Sequence, residues 1–327
     1  MATNIVIFLK LVASLILSFI LSIFFTKKII KISQKKNAAQ IEREYLQNHI
    51  AKKGTPTMGG IAFILSSLIT FFILNFNESI NYGVIAVIIG YLGFFLIGFI
   101  DDYLKVKIKT YDGLKAGIRI LLEITLSMYI IVVLKEGGFI LERLYLPLFN
   151  SFVNTTYLFL PFFLIVLIGS ANAINLSDGL DGLASGLSMI ALTPFILISL
   201  NSGNYQLTLL LTSTIGSLVG FLFFNVHPAK IFMGDCGSLA LGALLGVSSI
   251  VLNSEIILVI AGIIFVLEAF SVILQVLYYK LTHKRIFLMA PLHHHFEKKG
   301  WQEWKVVMMF YLIGCFASIV AIIVEVI

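Results

Sequence analysis

Residues 83–105 read GVIAVIIGYLGFFLIGFIDDYLK, an apolar run that ends in two aspartates and a lysine. The apolar part, from about 84 to 100, is long enough for a helix to cross the hydrocarbon of a bilayer, which takes roughly 17–25 residues. If the helix continues, Lys105 lies one turn beyond Asp101 and Asp102 and shares their face. The stretch therefore predicts a membrane-spanning helix that carries charged groups at one end.

The whole chain has the composition of a membrane protein. Its 327 residues are 59% hydrophobic and 12% charged, whereas soluble domains are about a quarter charged. Cys236 and Cys315 are too few for a disulfide framework and are interpreted as small apolar residues. We predict one polytopic all-α transmembrane domain over residues 1–327. Its ten spans are expected at about 4–26, 58–76, 84–100, 117–134, 156–174, 183–200, 206–224, 238–253, 256–279 and 305–325.

Basic residues predict the orientation of these spans. They concentrate in the first, third and ninth connections, whereas NESINYG, NSGNY and NSE in the even connections have none. By the positive-inside rule the odd connections are cytoplasmic and both termini are extracytoplasmic. The net charge of +6 then belongs to one basic face suited to anionic lipid headgroups and phosphate substrates, and we predict no nucleic-acid partner.

The polar, motif-like stretches fall in the same odd connections. A transporter would be expected to place such groups near the bilayer midplane. Their position at one membrane boundary instead favours an active site at the cytoplasmic face.

DDYLK and NLSDGLDG supply paired acids. Asp101 and Asp102 with Lys105 suit Mg²⁺ and a phosphate, although a solvated helix end explains DDYLK about as well. In NLSDGLDG, Asp178 and Asp181 could bind a nucleobase, a ribose or a metal, or could cap the next span.

NVHPAKIFMGDCGS and KKGTPTMGG precede predicted helices. Asp235 could be catalytic or could only cap the eighth span, where the helix dipole favours an acid. Lys52 or Lys53 with free backbone N–H groups could hold a phosphate, or Pro56 could simply mark a helix start.

The histidine run of APLHHHFEKKGW lacks the cysteine or HExxH partners of a zinc site. Its three adjacent imidazoles are expected to diverge, which favours a contact surface for phosphate or sugar over a metal site. A solvated loop at the membrane interface is the alternative, because His, Lys and Trp all suit that depth. Glu268 and Gln275 interrupt the apolar ninth span; each is either functional or a buried contact between helices.

Together the stretches KKGTPTMGG, DDYLK, NAINLSDGLDGLA, FMGDCGSLALG and APLHHHFEKKGW resemble the signatures of the phospho-N-acetylmuramoyl-pentapeptide-transferases. This family belongs to the polyprenyl-phosphate N-acetylhexosamine-1-phosphate transferases. The resemblance implies ten spans, a cytoplasmic active site, Mg²⁺, a homodimer and the bacterial cytoplasmic membrane. It also implies a reaction in which UDP-N-acetylmuramoyl-pentapeptide and undecaprenyl phosphate give lipid I and UMP.

The resemblance also assigns site residues by motif position. The catalytic acids would be Asp101, Asp102 and Asp235, with Asp235 the metal ligand. Positions around the uridine would be Lys52, Asn175, Asp178, Gly179, Leu180, Asp181, Asn225 and Phe232. Further substrate contacts would be Thr57, Lys105, His293, His294 and His295. Where the family has a lysine after DDYLK and a Gly-Leu pair, this chain reads GLKAGIRI, which leaves Lys115 and Arg119 as alternatives.

Two other functions stay open from sequence: a sister transferase that uses another UDP-N-acetylhexosamine, and a transporter of cations or phosphate. For the transferase, Asp101 could be a general base that removes the proton of the lipid phosphate, or a nucleophile that forms an aspartyl-phosphate. Direct attack by the lipid phosphate, with a modest contribution from a base, is favoured. Near pH 7 much of a phosphate monoester is already dianionic, because its second pKa is about 6.

Overall fold

The computed structural model describes residues 2–35, 54–108 and 113–326. Within them the chain forms twelve α-helices and one short hairpin. The helices are α1 (Ala2–Lys35), α2 (Gly60–Leu74), α3 (Tyr82–Ile108), α4 (Ala116–Glu136), α5 (Phe159–Ser177), α6 (Leu183–Asn201), α7 (Tyr205–Asn225), α8 (Gly234–Val251), α9 (Glu255–Ala261), α10 (Ile263–Thr282), α11 (Leu292–Lys298) and α12 (Glu303–Val326).

Nine of the described helices are long and apolar enough to cross a membrane. The chain is therefore a multi-pass membrane protein, as its composition predicts. The second predicted span forms α2, an apolar helix of 15 residues that is shorter than these nine. The ninth predicted span is divided at Gly262 into α9 and α10. The count of ten spans and the orientation of the two termini stay predictions.

A hairpin departs from the all-α prediction. Strands β1 (Arg143–Leu146) and β2 (Ser151–Asn154) pair antiparallel between α4 and α5. Asn150 makes the turn in the left-handed conformation, with φ of 44°. Strands of four residues are too short to show the alternation by which a strand is recognised in sequence.

Helix α8 is the centre of the bundle and is buried along nearly its whole length. α3 and α5 pack on it, while α1 lies against α7 and α2 at the periphery. Glycines allow the close approach: a Cβ at Gly98 would overlap the backbone of Asp235, and one at Gly242 would overlap that of Ala171. Small residues at helix contacts are the usual way for membrane helices to pack closely.

Successive helices place the polar stretches at a common end. The ends of α3, α5 and α7 meet the beginnings of α4, α6 and α8 there, and α11 and the beginning of α12 complete it. We call this the site end of the bundle.

Candidate active site

Asp102 fixes the start of α8 from the neighbouring helix α3. Its carboxylate accepts hydrogen bonds from the backbone N–H groups of Asp235, at 3.2 Å, and of Cys236, at 3.0 Å. These N–H groups have no partner within their own helix, and the helix dipole favours a negative charge at this position. Asp102 thus joins the DDYLK stretch directly to FMGDCGS.

Lys105 lies between two carboxylates. Its Nζ is 2.5 Å from Oδ2 of Asp101 and 2.8 Å from Oδ2 of Asp235. The other oxygen of Asp101 accepts a hydrogen bond of 2.7 Å from the backbone of Leu114. The predicted sharing of a helix face with Lys105 is confirmed for Asp101. It is wrong for Asp102, whose carboxylate is directed to the start of α8 instead. Asp235 belongs to the same cluster as Asp101 and Lys105.

Arg119, on α4, is the second cation of the cluster. Its Nη1 is 3.5 Å from Oδ2 of Asp235, and its Nη2 donates to Asn172 at 2.9 Å. Its Nε pairs at 3.1 Å with Glu123, which is fully buried. Lys115 instead lies exposed before the first turn of α4. Of the two alternatives left by the sequence, the structure therefore brings Arg119 to the carboxylates.

Asn175 orients the third carboxylate. Its Nδ2 donates to Oδ1 of Asp235 at 2.8 Å and to Ser238 at 2.9 Å. In this structure the side chain expected near the uridine is thus bonded to the acid cluster.

The acid cluster could hold a divalent cation. Asp101, Asp102 and Asp235 each offer a carboxylate oxygen, and these atoms lie within 4.8 Å of one another. Such hard oxygen donors are the ligands that Mg²⁺ prefers. The ammonium of Lys105, in contact with two of the three carboxylates, indicates that positive charge is accommodated there.

NLSDGLDG forms the turn between α5 and α6. Asp181 is buried in it, and its Oδ2 lies 3.0 Å from both the backbone N of Ala229 and Nδ1 of His227. Its own N–H donates at 2.7 Å to Glu303, and His227 is 3.3 Å from the other oxygen of Glu303. Asp178 ends α5 and is half-buried. The turn is therefore attached to the α7–α8 loop and to α12.

Gly179 and Leu180 lie between these two acids. Leu180 is buried in the core, and Gly179 lies against the imidazole of His293. A Cβ at Gly179 would overlap this ring, so glycine permits the contact.

Two of the predicted stretches are paired through their backbones. Phe232 donates to the carbonyl of Pro56 at 2.8 Å and accepts from Gly59 at 2.9 Å. Thr57 is buried close to Gly234, which has φ of 75°. Phe232 is half-buried beside the acid cluster, at the start of α8.

Asn225, at the end of α7, makes two buried hydrogen bonds. Its Oδ1 accepts from Ser185 at 2.8 Å, and its Nδ2 donates to the carbonyl of Ile231 at 2.9 Å. Its amide thereby holds the α7–α8 loop against α6. Lys52 and Lys53 lie outside the described residues.

The three histidines begin α11 and have different partners. His293 is fully buried and pairs with Glu268. His294 pairs with Glu297 at 2.7 Å, and His295 accepts from the backbone of Leu288 at 3.1 Å. The imidazoles of His293 and His294 lie together, with ring centroids 4.1 Å apart, so the expected divergence of all three rings is wrong for this pair. Partial burial, with a contribution from the nearby Lys299, lowers the pKa of His295.

Sequence reasoning missed Glu123 and Glu303 and left Glu268 undecided. Glu123 had a detectable signal, because it is an ionisable residue within an apolar helix. Glu303 lies in the first turn of α12, where acidic residues are common because the helix dipole favours them. The sequence therefore does not indicate its contact with Asp181.

The fold and the site define a multi-pass membrane protein with a cluster of carboxylates and cations at one end of its helices. A family model described as glycosyl transferase family 4 matches residues 84–253, and a phospho-N-acetylmuramoyl-pentapeptide-transferase signature matches residues 52–64.

Similar proteins named phospho-N-acetylmuramoyl-pentapeptide-transferase cover nearly the whole chain. The one from Lactobacillus gasseri is 45% identical over 94% of this chain and 96% of its own length. Those from Staphylococcus carnosus (40% identical over 89% of this chain and 91% of its own) and Borreliella burgdorferi (41% over 94% and 92%) are similar too. The chain belongs to the phospho-N-acetylmuramoyl-pentapeptide-transferase family of phospho-sugar transferases, which confirms the resemblance.

Proposed function

We propose that this enzyme transfers phospho-N-acetylmuramoyl-pentapeptide from its UDP carrier to undecaprenyl phosphate in the bacterial cytoplasmic membrane. The products would be lipid I and UMP, and the reaction would be the first membrane step of peptidoglycan synthesis. The observation that carries the proposal is the cluster of Asp101, Lys105, Arg119 and Asp235 in a chain whose relatives bear the name of this activity.

Charge is the first problem that this reaction poses, because both substrates are anions. Lys105 and Arg119 provide two positive charges within 3.5 Å of Asp235 and lower the repulsion between the substrates. Lys105 is a third exposed and so can reach the lipid phosphate. Arg119 is held more firmly, by Glu123 and Asn172, and keeps its position.

Asp235 would be the principal Mg²⁺ ligand, with Asp101 and Asp102 in reach. When bound, Mg²⁺ offsets the negative charge of the diphosphate and of the departing UMP. Asn175 orients Asp235 through Oδ1, and Asp102 keeps the start of α8 in place. Positioning and charge stabilisation are then the main contributions of the protein.

The lipid phosphate attacks the sugar-linked phosphorus directly in this proposal. The lipid phosphate is already largely dianionic near pH 7, so a base that removes its proton would contribute little. Asp101 already accepts a hydrogen bond from the backbone of Leu114 and pairs with Lys105. Asp101 then orients Lys105. Incubation with UDP-sugar but no lipid acceptor should leave Asp101 unmodified by mass spectrometry; a phosphorylated Asp101 would overturn direct attack.

The uridine would bind beside the NLSDGLDG turn, with Asp178, Asp181 and Lys52 near its polar atoms and Phe232 stacked on the base. Thr57 would contact the phosphates, and the three histidines the sugar or the phosphates. The active protein would be a homodimer; light scattering of the detergent complex should give twice the mass of the chain.

Release of UMP tests the function. Purified protein is incubated with UDP-N-acetylmuramoyl-pentapeptide, undecaprenyl phosphate and Mg²⁺, and UMP is measured. We expect UMP with this sugar nucleotide and not with UDP-N-acetylglucosamine, which a sister transferase would use. Chelation by EDTA and the variant Asp235→Asn should each abolish release. A folded preparation that releases no UMP under these conditions contradicts the proposal.

A further inference from the structure

Glu268, which the proposed mechanism does not use, pairs with His293. Both side chains are almost completely buried, at 0% and 1% exposure. Oε2 of Glu268 lies 3.1 Å from Nδ1 of His293, and Oε1 accepts the backbone N–H of the same histidine at 3.1 Å. One carboxylate in α10 therefore holds both the backbone and the ring of the first residue of the histidine run.

This arrangement determines which ring nitrogen faces away from Glu268. An ionised carboxylate has only acceptor atoms, so a hydrogen bond to it requires a hydrogen on Nδ1. The second bond, from the backbone, fixes the position of the carboxylate and hence the plane of the ring. Similar carboxylate–histidine pairs elsewhere set the tautomer and orientation of a functional imidazole.

The remaining nitrogen, Nε2, lies at the NLSDGLDG turn. It is buried and has no hydrogen-bond partner among the residues that the structure describes. Its neighbour is Gly179, at which a Cβ would overlap Nε2. An unpartnered polar atom in a buried position is costly, and such atoms in native proteins commonly have a functional explanation.

Glu268 itself is too far inside to serve the reaction. Its two oxygens are occupied by His293, and its side chain has no exposed surface. Any effect on catalysis must therefore pass through the imidazole.

We propose that Glu268 is a positioning residue: it fixes His293 with hydrogen on Nδ1 and thereby holds the imidazole against Gly179 of the NLSDGLDG turn, beside which the sugar nucleotide would bind. This inference rests on the proposed function. It adds to the proposed site a residue from the middle of an apolar helix.

A double-mutant cycle tests the coupling. Glu268→Gln leaves one acceptor where two are needed, so it should lower kcat/KM for the sugar nucleotide at least tenfold and leave the KM for undecaprenyl phosphate unchanged. His293→Ala should show a similar loss. Because Glu268 acts through the ring, the double variant should be no worse than His293→Ala alone. Losses that multiply would overturn the proposal.

Ser271→Ala is the matched control. Ser271 lies on the same helix, is also buried, and donates only to the backbone carbonyl of Glu268. Its replacement should leave the kinetics unchanged. If it lowers kcat/KM as much as Glu268→Gln does, a general disturbance of α10 explains both, and the positioning role is wrong.

Nitrogen NMR of protein labelled at its six histidines tests the tautomer without activity. The His293 signals, assigned by their loss in His293→Ala, should report hydrogen on Nδ1 in the wild type and a changed state in Glu268→Gln. A wild-type Nδ1 without hydrogen would overturn the inference even if UMP is released. Absence of UMP release by the wild type would instead contradict the proposed function and leave the NMR result intact.

Discussion

Asp101 and Asp102 are neighbours in sequence but have different partners. Successive residues of a helix point about 100° apart, so Asp102 reaches the start of α8 while Asp101 faces Lys105. Asp102 keeps α3 and α8 together, and Asp101 keeps the ammonium of Lys105 beside Asp235. The direction in which each of the two side chains points thus determines its partner and its role.

Arg119 and Lys115 should differ sharply when each is replaced by Gln. Arg119→Gln removes a positive charge 3.5 Å from Asp235 and should lower UMP release by about a hundredfold, as the loss of a charge-stabilising donor does elsewhere. Lys115 is exposed, and Lys115→Gln should stay within about twofold of the wild type. Steady-state kinetics on folded protein distinguishes them. Equal losses would contradict the placement of Arg119 in the site.

His294 should matter for turnover rather than for folding. His294 is only partly buried and pairs with Glu297 within one short helix, so His294→Ala removes little packing. We expect a severe loss of UMP release with unchanged thermal unfolding in detergent. Near-normal turnover would show that His294 is a polar residue of α11 without a role in the reaction.

At the scale of elements, α8 determines the geometry of the site. Its first turn carries Asp235, and its contacts with α3 and α5 depend on glycines where backbones touch. Asp235 and the close contact of α8 with Gly98 of α3 thus belong to the same turn, and packing there should affect the candidate site.

Gly98→Ala tests this link. The added Cβ would overlap the backbone of Asp235 and Cys236, and overpacking of this kind costs about 1–3 kcal/mol. We expect a lower unfolding temperature and reduced UMP release. The control is Gly117→Ala in α4, where a Cβ would have no described atom within 4 Å. Equal behaviour of the two variants would show that the α3–α8 crossing is tolerant.

Glu255, at the start of α9, should make stability depend on pH. Burial raises its pKa from the ordinary 4.5 to about 7. The folded state therefore holds a proton that the unfolded state has lost between these values, so the free energy of unfolding should fall as pH rises from 4.5 to 7. Glu255→Gln should raise the unfolding temperature at pH 8 and change it little at pH 4.5. An increase equal at both pH values would contradict this explanation.

At the scale of the whole molecule, the site exists because helix ends from distant parts of the chain meet. Asp235 is separated by 130 positions from Lys105, and Asp181 by 122 from Glu303. Lys105 and Lys107 at the end of α3, Arg119 at the start of α4 and Lys298 in α11 gather at this same end, whereas Lys135 lies at the opposite end of α4. The positive-inside rule then predicts that the site end is cytoplasmic.

Labelling of single cysteines tests this orientation. Ser202→Cys lies in the α6–α7 turn and Lys299→Cys after α11, and both positions are exposed. In a Cys315→Ala background, a membrane-impermeant maleimide should label position 202 in intact cells and position 299 only after lysis. Cys236 is buried and should stay unlabelled in both. The reverse pattern would contradict the predicted topology.

Hydrophobic length predicted where the helices form, because each backbone must satisfy its own hydrogen bonds in lipid. Nine long helices and α2 follow from that rule, but the hairpin at residues 143–154 does not, since its pairing is too short to leave a pattern. The sequence also does not predict the break between α9 and α10 at Gly262, because apolar residues flank this glycine on both sides.

The sequence by itself determined the class of the protein, most of its helices and the residue types of its site, since these depend on composition and on local spacing. The tertiary structure alone decided which side chains meet. It placed Arg119 rather than Lys115 beside Asp235, gave Asp102 to the start of α8, and paired Glu268 with His293. The reason is physical: each contact depends on how helices cross and which face each presents, and these follow from packing along the whole chain.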